Sequence, residues 1–101
     1  MTPQTRNVEI VNRKGLHARA SAKLAELALT LPTIVTISFE GEQADARSIM
    51  DLLCLGAGIG SRVQLSAEGN TAGAALDAVE ALITDGFGEL AEDAAAPANS
   101  L

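Results

Sequence analysis

The hydrophobic period of this chain switches back and forth between two residues and about 3.6, and that switching narrows its fold class more than any other property. Arg6–Asn12 alternates, with Val8 and Ile10 on one side and Glu9 on the other, and reads as a strand that Gly15 breaks. From Ala18, the polar residues Arg19, Lys23, Glu26 and Thr30 recur every three or four positions, opposite Ala20, Leu24, Leu27, Ala28 and Leu31. That is an amphipathic helix, and Pro32 stops it. Thr33–Phe39 is rich in β-branched residues and reads as a second strand, with a tight turn at Glu40–Glu42 and a short return at Gln43–Asp45. Asp45–Gly56 holds a short helix begun by Ser48 and ended by Gly56, with Ser48 and Asp51 spaced like a capping box. Arg62–Gly69 alternates Val63, Leu65 and Ala67 against Arg62, Gln64, Ser66 and Glu68, as a half-buried antiparallel strand does.

Thr71–Phe87 returns to the helical period, with Gly73, Asp77, Glu80 and Thr84 opposite Ala72, Ala75, Leu76, Val79, Leu82, Ile83 and Phe87. Asn70 or Thr71 is expected to cap it, and Gly86 or Gly88 to end it. The order β-α-β-β-α-β-α predicts an α+β, two-layer open-faced sandwich: a four-stranded antiparallel sheet with three helices on one face and water on the other. Residues 1–88 form this domain, and 89–101 read as an acidic, Ala-rich flexible tail with little to bury.

Composition sets limits. The chain has 101 residues, enough for one domain, and only Phe39 and Phe87 are aromatic although 48% of residues are hydrophobic. The core is therefore aliphatic, which favours small helices lying close on a sheet. A net charge of −6 argues against nucleic acid as a partner. No apolar run approaches the ~18 residues of a membrane span, and "MTPQTRNVEIVN" lacks the apolar core of a signal peptide. Cys54 is alone, so no internal disulfide forms; it is expected as a small buried hydrophobe, and the cytoplasm is the default location. One His and one Cys far apart do not make a metal shell. The Gly56–Ser61 loop lacks nucleotide-binding spacing, so no metal or cofactor is expected.

Against this acidic background, "NRKGLHARASAK" (Asn12–Lys23) gathers Arg13, Lys14, Arg19 and Lys23 around the only histidine, His17, with no acid between Glu9 and Glu26. The first N–H groups of a helix lack intrahelical partners and carry partial positive charge. His17 is a weak cap, so those donors stay open to an anion such as phosphate. Imidazole titrates near neutrality, and a neutral ring nitrogen beside an anion site can accept a phosphoryl group. Composition alone also allows an ordinary surface histidine here.

"GLHARASAKL" (Gly15–Leu24) closely resembles the active-site signature of the HPr family, the histidine-containing phosphocarriers of the phosphoenolpyruvate-dependent phosphotransferase system. "ADARSIMDLLCLG" (Ala44–Gly56) resembles that family's second site, a serine before a short apolar helix, and "GSRVQLSAEG" (Gly60–Gly69) its fourth strand. The likeness spans about residues 6–87, and the element order is the same. It implies that enzyme I phosphorylates His17 on Nδ1 and that the group passes to a histidine of an enzyme IIA domain. Arg19 would assist, with the backbone N–H groups of Ala18 and Arg19 facing the phosphoryl oxygens. It further implies regulatory phosphorylation of Ser48 by an HPr kinase/phosphorylase, and partner docking on Ile49, Met50 and Leu53. Such a protein is a shuttle rather than an enzyme, and is expected as a monomer. Ala20 and Ser21 stand where the family has Pro-Ala, and Asp51 puts a negative charge in the docking patch. Two other readings stay open: a regulatory carrier of a nitrogen-type or transport-deficient branch, and an adaptor of this fold that no longer transfers phosphate. A small-ligand regulatory domain is a further, different class.

Overall fold

The sheet is assembled from polar rows on one face and apolar rows on the other. The computed structural model describes residues 2–95. Its strands are β1 (Gln4–Glu9), β2 (Thr36–Phe39), β3 (Glu42–Asp45) and β4 (Arg62–Ala67), in spatial order β1-β4-β2-β3 with every pair antiparallel. The register aligns Thr5, Ser66, Thr36 and Asp45 in one row and Asn7, Gln64, Ser38 and Gln43 in the next. These short polar side chains make the open, solvated face. The opposite rows, Val8 with Val63 and Leu65 with Ile37 and Ala44, are buried. Period-two alternation is thus realised across the whole sheet.

Helices α1 (Ala18–Leu29), α2 (Ile49–Leu55) and α3 (Ala72–Thr84) cover the apolar face. Leu24, Leu52, Leu76, Val79 and Ile83 are wholly buried there with Ile10, Ile37 and Leu65. Each such side chain contributes about 1.5–3 kcal/mol on leaving water. Ala20, Ala25 and Ala28 of α1 and Ala72 and Ala75 of α3 are buried with them, so small residues fill much of this aromatic-poor core. Arg6, at the end of the row that holds Leu65, reaches across to Asp77 and to Glu80 (2.9 Å) on α3 and ties β1 to that helix.

Several expectations are corrected. β1 runs from Gln4 to Glu9 rather than Arg6 to Asn12, and β2 begins at Thr36 rather than Thr33. Thr71, one of the two expected caps, occupies the N-cap position of α3 but makes no side-chain cap bond. The α-helix ends at Thr84, and Phe87 lies in a 3₁₀ turn, Gly86–Gly88, beyond it. Cys54 is exposed, not buried. In a helix apolar almost all round, hydropathy cannot choose a face; Leu52 and Leu55, three apart, take the core, and Cys54 falls opposite Leu52. The chain also continues past residue 88 as ordered structure: Glu89 is 1% exposed, and a fourth helix, α4 (Leu90–Ala95), follows. The remainder of the expected tail, 96–101, lies outside the described residues.

Candidate functional site

His17 sits where two loops meet, and glycine makes the meeting possible. Gly15 has φ +62°, and a Cβ there would lie 2.4 Å from the Ala57 carbonyl oxygen and 2.6 Å from Gly58 Cα. The Leu16 N–H donates to that same carbonyl at 3.0 Å. The glycine-rich stretch Gly56–Ser61 therefore serves as a floor for the His17 loop. It is also stitched to the end of β1, through Ile10 N–H to Ser61 and Gly60 N–H to Ile10, both at 2.8 Å.

His17 is the N-cap of α1, with extended backbone and no side-chain cap bond, as its weak capping ability predicts. Its carbonyl accepts from Ser21 N–H at 2.8 Å, while Ala18 and Arg19, in the first turn, are exposed. The Ala20-Ser21 pair is accommodated: Ala20 is fully buried, and the buried Ser21 hydroxyl donates to the Leu16 carbonyl at 3.0 Å.

The residue that completes the site comes from the far end of the domain. Gly86, Phe87 and Gly88 all have positive φ, at 64°, 56° and 75°. For phenylalanine this costs on the order of 1–2 kcal/mol; full burial of its ring offsets the strain. The Lys23 ammonium holds the Phe87 carbonyl at 2.7 Å. The reversal turns Glu89 inward, where its Oε2 lies 2.6 Å from His17 Nε2 and its Oε1 accepts from Asn12 Nδ2 at 3.1 Å. Asn12 Nδ2 also donates to the Gly15 carbonyl at 2.9 Å, locking the loop to the acid. Arg19 Nε pairs with the same Glu89 Oε2 at 3.4 Å.

Burial pushes the Glu89 carboxyl up, but the Asn12 and His17 hydrogen bonds and the neighbouring charges of His17 and Arg19 outweigh it and hold the group below the ordinary carboxylate range. An ionised carboxylate can only accept. His17 Nε2 must then carry the proton, and in the neutral ring the free lone pair belongs to Nδ1.

Nothing in the sequence pattern marks Glu89 or Asn12 for this role: one closes a strand-like run, and the other opens what reads as an unstructured acidic stretch. The basic collar is also less free than its sequence suggests. The Arg13 N–H donates to Asp93 Oδ2 at 2.8 Å and its guanidinium to the Asp93 carbonyl at 2.9 Å. Arg19 Nη2 pairs with Glu92 Oε2 at 3.5 Å.

Ser48 is elsewhere, at the N-cap of α2, where its half-buried hydroxyl accepts from Asp51 N–H at 3.2 Å. The capping box is only half made, because the Asp51 carboxylate takes the Asp45 N–H at 3.4 Å and not that of Ser48. Asp45 in turn binds Arg47, whose hydrogen bonds hold its carboxyl low. Ile49, Met50 and Leu53 are 41%, 68% and 37% exposed, and Ile59, unmarked by periodicity, is 60% exposed in the following loop. Among the described residues no group of three or more His, Cys, Asp or Glu side chains could hold a metal ion, and no helix is long and apolar enough to cross a membrane. A concavity of about 580 Å³ lined by Pro3, Pro32, Ile34 and Glu68 includes neither His17 nor Ser48.

A family model described as "PTS HPr component phosphorylation site" matches residues 4–85. The phosphocarrier protein HPr of Cupriavidus necator is 50% identical over 84 residues, which cover 83% of this chain and 94% of that protein. The phosphocarrier protein NPr of Shewanella violacea is 44% identical over 89 residues, 88% of this chain and 98% of its own length. Among solved structures, the crystal structure of HPr-C-His from Thermoanaerobacter tengcongensis matches with a TM-score of 0.80 at 35% identity, covering 85% of this chain and 97% of that one. Glu89 and α4 lie beyond the stretch that the family model matches.

Proposed function

The chain belongs to the HPr family of phosphotransferase-system phosphocarriers, and from that premise we propose that His17 Nδ1 is the atom that carries the phosphoryl group. The observation that supports this reading is the 2.6 Å contact between Glu89 Oε2 and His17 Nε2. It supports a ring proton on Nε2, which would leave Nδ1 as the nucleophile.

In the forward step the Nδ1 lone pair forms the new N–P bond as the bond from phosphorus to the donor nitrogen breaks, and the donor keeps that electron pair. The imidazole gains positive charge with Nε2–H still in place, and the Glu89 carboxylate lies against it to compensate. Arg19 and the N–H groups of Ala18 and Arg19, at a helix start without a side-chain cap, take the phosphoryl oxygens. Each of these interactions is modest, as suits a group that must be passed on. The donor is enzyme I and the acceptor a histidine of an enzyme IIA domain. The site is complete within one chain, which fits a monomer acting in the cytoplasm.

Ser48 is the regulatory position. Its hydroxyl is partly accessible beside the exposed Ile49, Met50 and Leu53, which form the partner-docking face. Phosphate placed there by an HPr kinase/phosphorylase would stand near Asp45 and Asp51 and add negative charge to that face. The NPr relative, matched along 98% of its length, favours a second reading in which the carrier serves a regulatory, nitrogen-type branch.

Incubation with phosphoenolpyruvate and enzyme I, followed by intact-mass spectrometry, tests the proposal. One acid-labile phosphoryl group on wild type and none on His17→Ala is expected. A folded wild-type protein that stays unmodified by its own enzyme I would overturn it. Replacing a sugar system's carrier in a transport assay separates the transport branch from the regulatory one.

A further inference from the structure

Two arginines of the basic collar, Arg13 and Arg19, are held by α4, and this sets up a competition at the site. Arg19 faces three claimants: Glu89 at 3.4 Å, Glu92 at 3.5 Å and, on the carrier reading above, the phosphoryl group on His17. Glu89 is fixed, being buried and bound by Asn12. The contacts of α4 are of another kind. Arg19 and Glu92 have side chains 53% and 63% exposed, and their separation is long for a charge-assisted bond. Arg13 binds Asp93 at the surface. Leu90, 41% exposed, rests on Gly86, and α4 packs on little besides the Gly86–Gly88 turn. A six-residue helix has small stability of its own. Elements so held open at low cost.

We propose that α4 is an intramolecular latch that occupies Arg13 and Arg19 while His17 is unmodified and is released when His17 is phosphorylated. The phosphoryl group adds about two negative charges to a site where Glu89 already contacts His17 and Glu92 contacts Arg19, and it takes Arg19 for itself. The two states then differ in what they present. In the closed state Arg19 is paired with the chain's own carboxylates and the Arg13 guanidinium is held by the Asp93 carbonyl, so both are withheld from an acidic partner face. In the open state Arg13 and the acidic face of α4 are both free. The latch would lower the on-rate of acidic partners toward the unmodified protein and make the phosphorylated form distinguishable to a partner that reads α4.

The test uses the full chain and its double variant Glu92→Gln/Asp93→Ala, neither residue being part of the transfer site. Phosphoramidate supplies the phosphoryl group without a protein donor: the Nδ1 lone pair forms the N–P bond, the reagent's P–N bond breaks, and ammonia leaves. Hydrogen exchange followed by mass spectrometry then reads the amides of 90–95 in both forms. In wild type, protection of these amides should fall about tenfold on phosphorylation; in the variant it should be low in both forms. With enzyme I at low salt, the variant should show a KM lowered about threefold with kcat unchanged, and the difference should shrink toward 0.5 M salt. Phosphorylated His17 with unchanged protection at 90–95, or a variant with wild-type KM at low salt, overturns the latch and leaves the carrier reading standing. Failure of His17 to accept phosphate from either donor overturns both.

Discussion

Glu89 Oε2 and His17 Nε2, seventy-two positions apart in the chain, are 2.6 Å apart in space. On the proposed reading, with Nδ1 as the reacting nitrogen, the acid would act from the far side of the ring, holding the tautomer and countering the charge that develops on transfer. Gln at 89 can offer either an oxygen or an N–H to Nε2, so it no longer chooses between tautomers. Glu89→Gln should lower the rate of phosphoryl uptake by about 10- to 100-fold, the scale on which groups that orient an imidazole act, with KM for enzyme I little changed. ¹⁵N NMR of the neutral ring should show wild type with the proton on Nε2 and the variant as a mixture. A variant of unaltered tautomer and wild-type rate would refute this role.

The same contact makes a contribution to stability with a definite sign in pH. The Glu89 carboxyl lies below its ordinary value of 4.5 in the folded protein, so between the two values the unfolded chain binds more protons than the native one. The stabilisation is complete above about 4.5 and is lost as pH falls through the depressed folded value. Asp45, held low by Arg47, adds a loss of the same sign. Urea denaturation of wild type and Glu89→Gln at steps from pH 5 to pH 3 isolates the first term. The gap between the two proteins should narrow toward pH 3, and a constant gap would show that Glu89 is not held low.

Gly15 and Gly58 make a contrasting pair. A methyl group on Gly15 meets the Ala57 carbonyl and Gly58 Cα at under 3 Å, with φ at +62°, whereas one on Gly58 meets nothing within 4 Å. Gly15→Ala should cost about 2–4 kcal/mol in denaturant and slow transfer at His17, because the loop must lift from its floor. Gly58→Ala should stay within about 0.5 kcal/mol of wild type. Equal effects at the two positions would remove the loop contact from the account.

Much of this was written in periodicity. The alternation of Val63, Leu65 and Ala67 and the stripe Arg19, Lys23, Glu26 and Thr30 report burial directly, because each is a local consequence of strand or helix geometry. The uncapped helix start at His17 was legible for a related reason: histidine is a weak cap, and the positive charge gathered around it is local in the sequence. Glu89 was not, since its role depends on three successive left-handed residues, Gly86, Phe87 and Gly88, folding the chain back on itself. Phenylalanine rarely adopts that conformation, and burial of its ring together with the Lys23 bond to its carbonyl holds it there. Hydropathy does not locate Cys54, because α2 is apolar on nearly every side and its buried face is decided by packing on the sheet.

At Ser48 the observed cap and the proposed regulatory role can be tested separately within one side chain. Its hydroxyl accepts from Asp51 N–H at 3.2 Å and satisfies a donor at the start of α2. Ser48→Ala should therefore cost about 0.5–2 kcal/mol by loss of the cap, while phosphorylation of His17 by enzyme I keeps its wild-type rate. Ser48→Asp retains an acceptor at the cap and so keeps the helix, but it adds a charge near Asp51 and beside the exposed Met50. It should leave stability within about 1 kcal/mol of wild type and raise KM for enzyme I several-fold, an effect that salt diminishes. The two variants thus move stability and transfer in opposite combinations. If Ser48→Asp leaves KM unchanged while Ser48→Ala destabilises as expected, Ser48 is a cap alone, and the regulatory reading of this position fails.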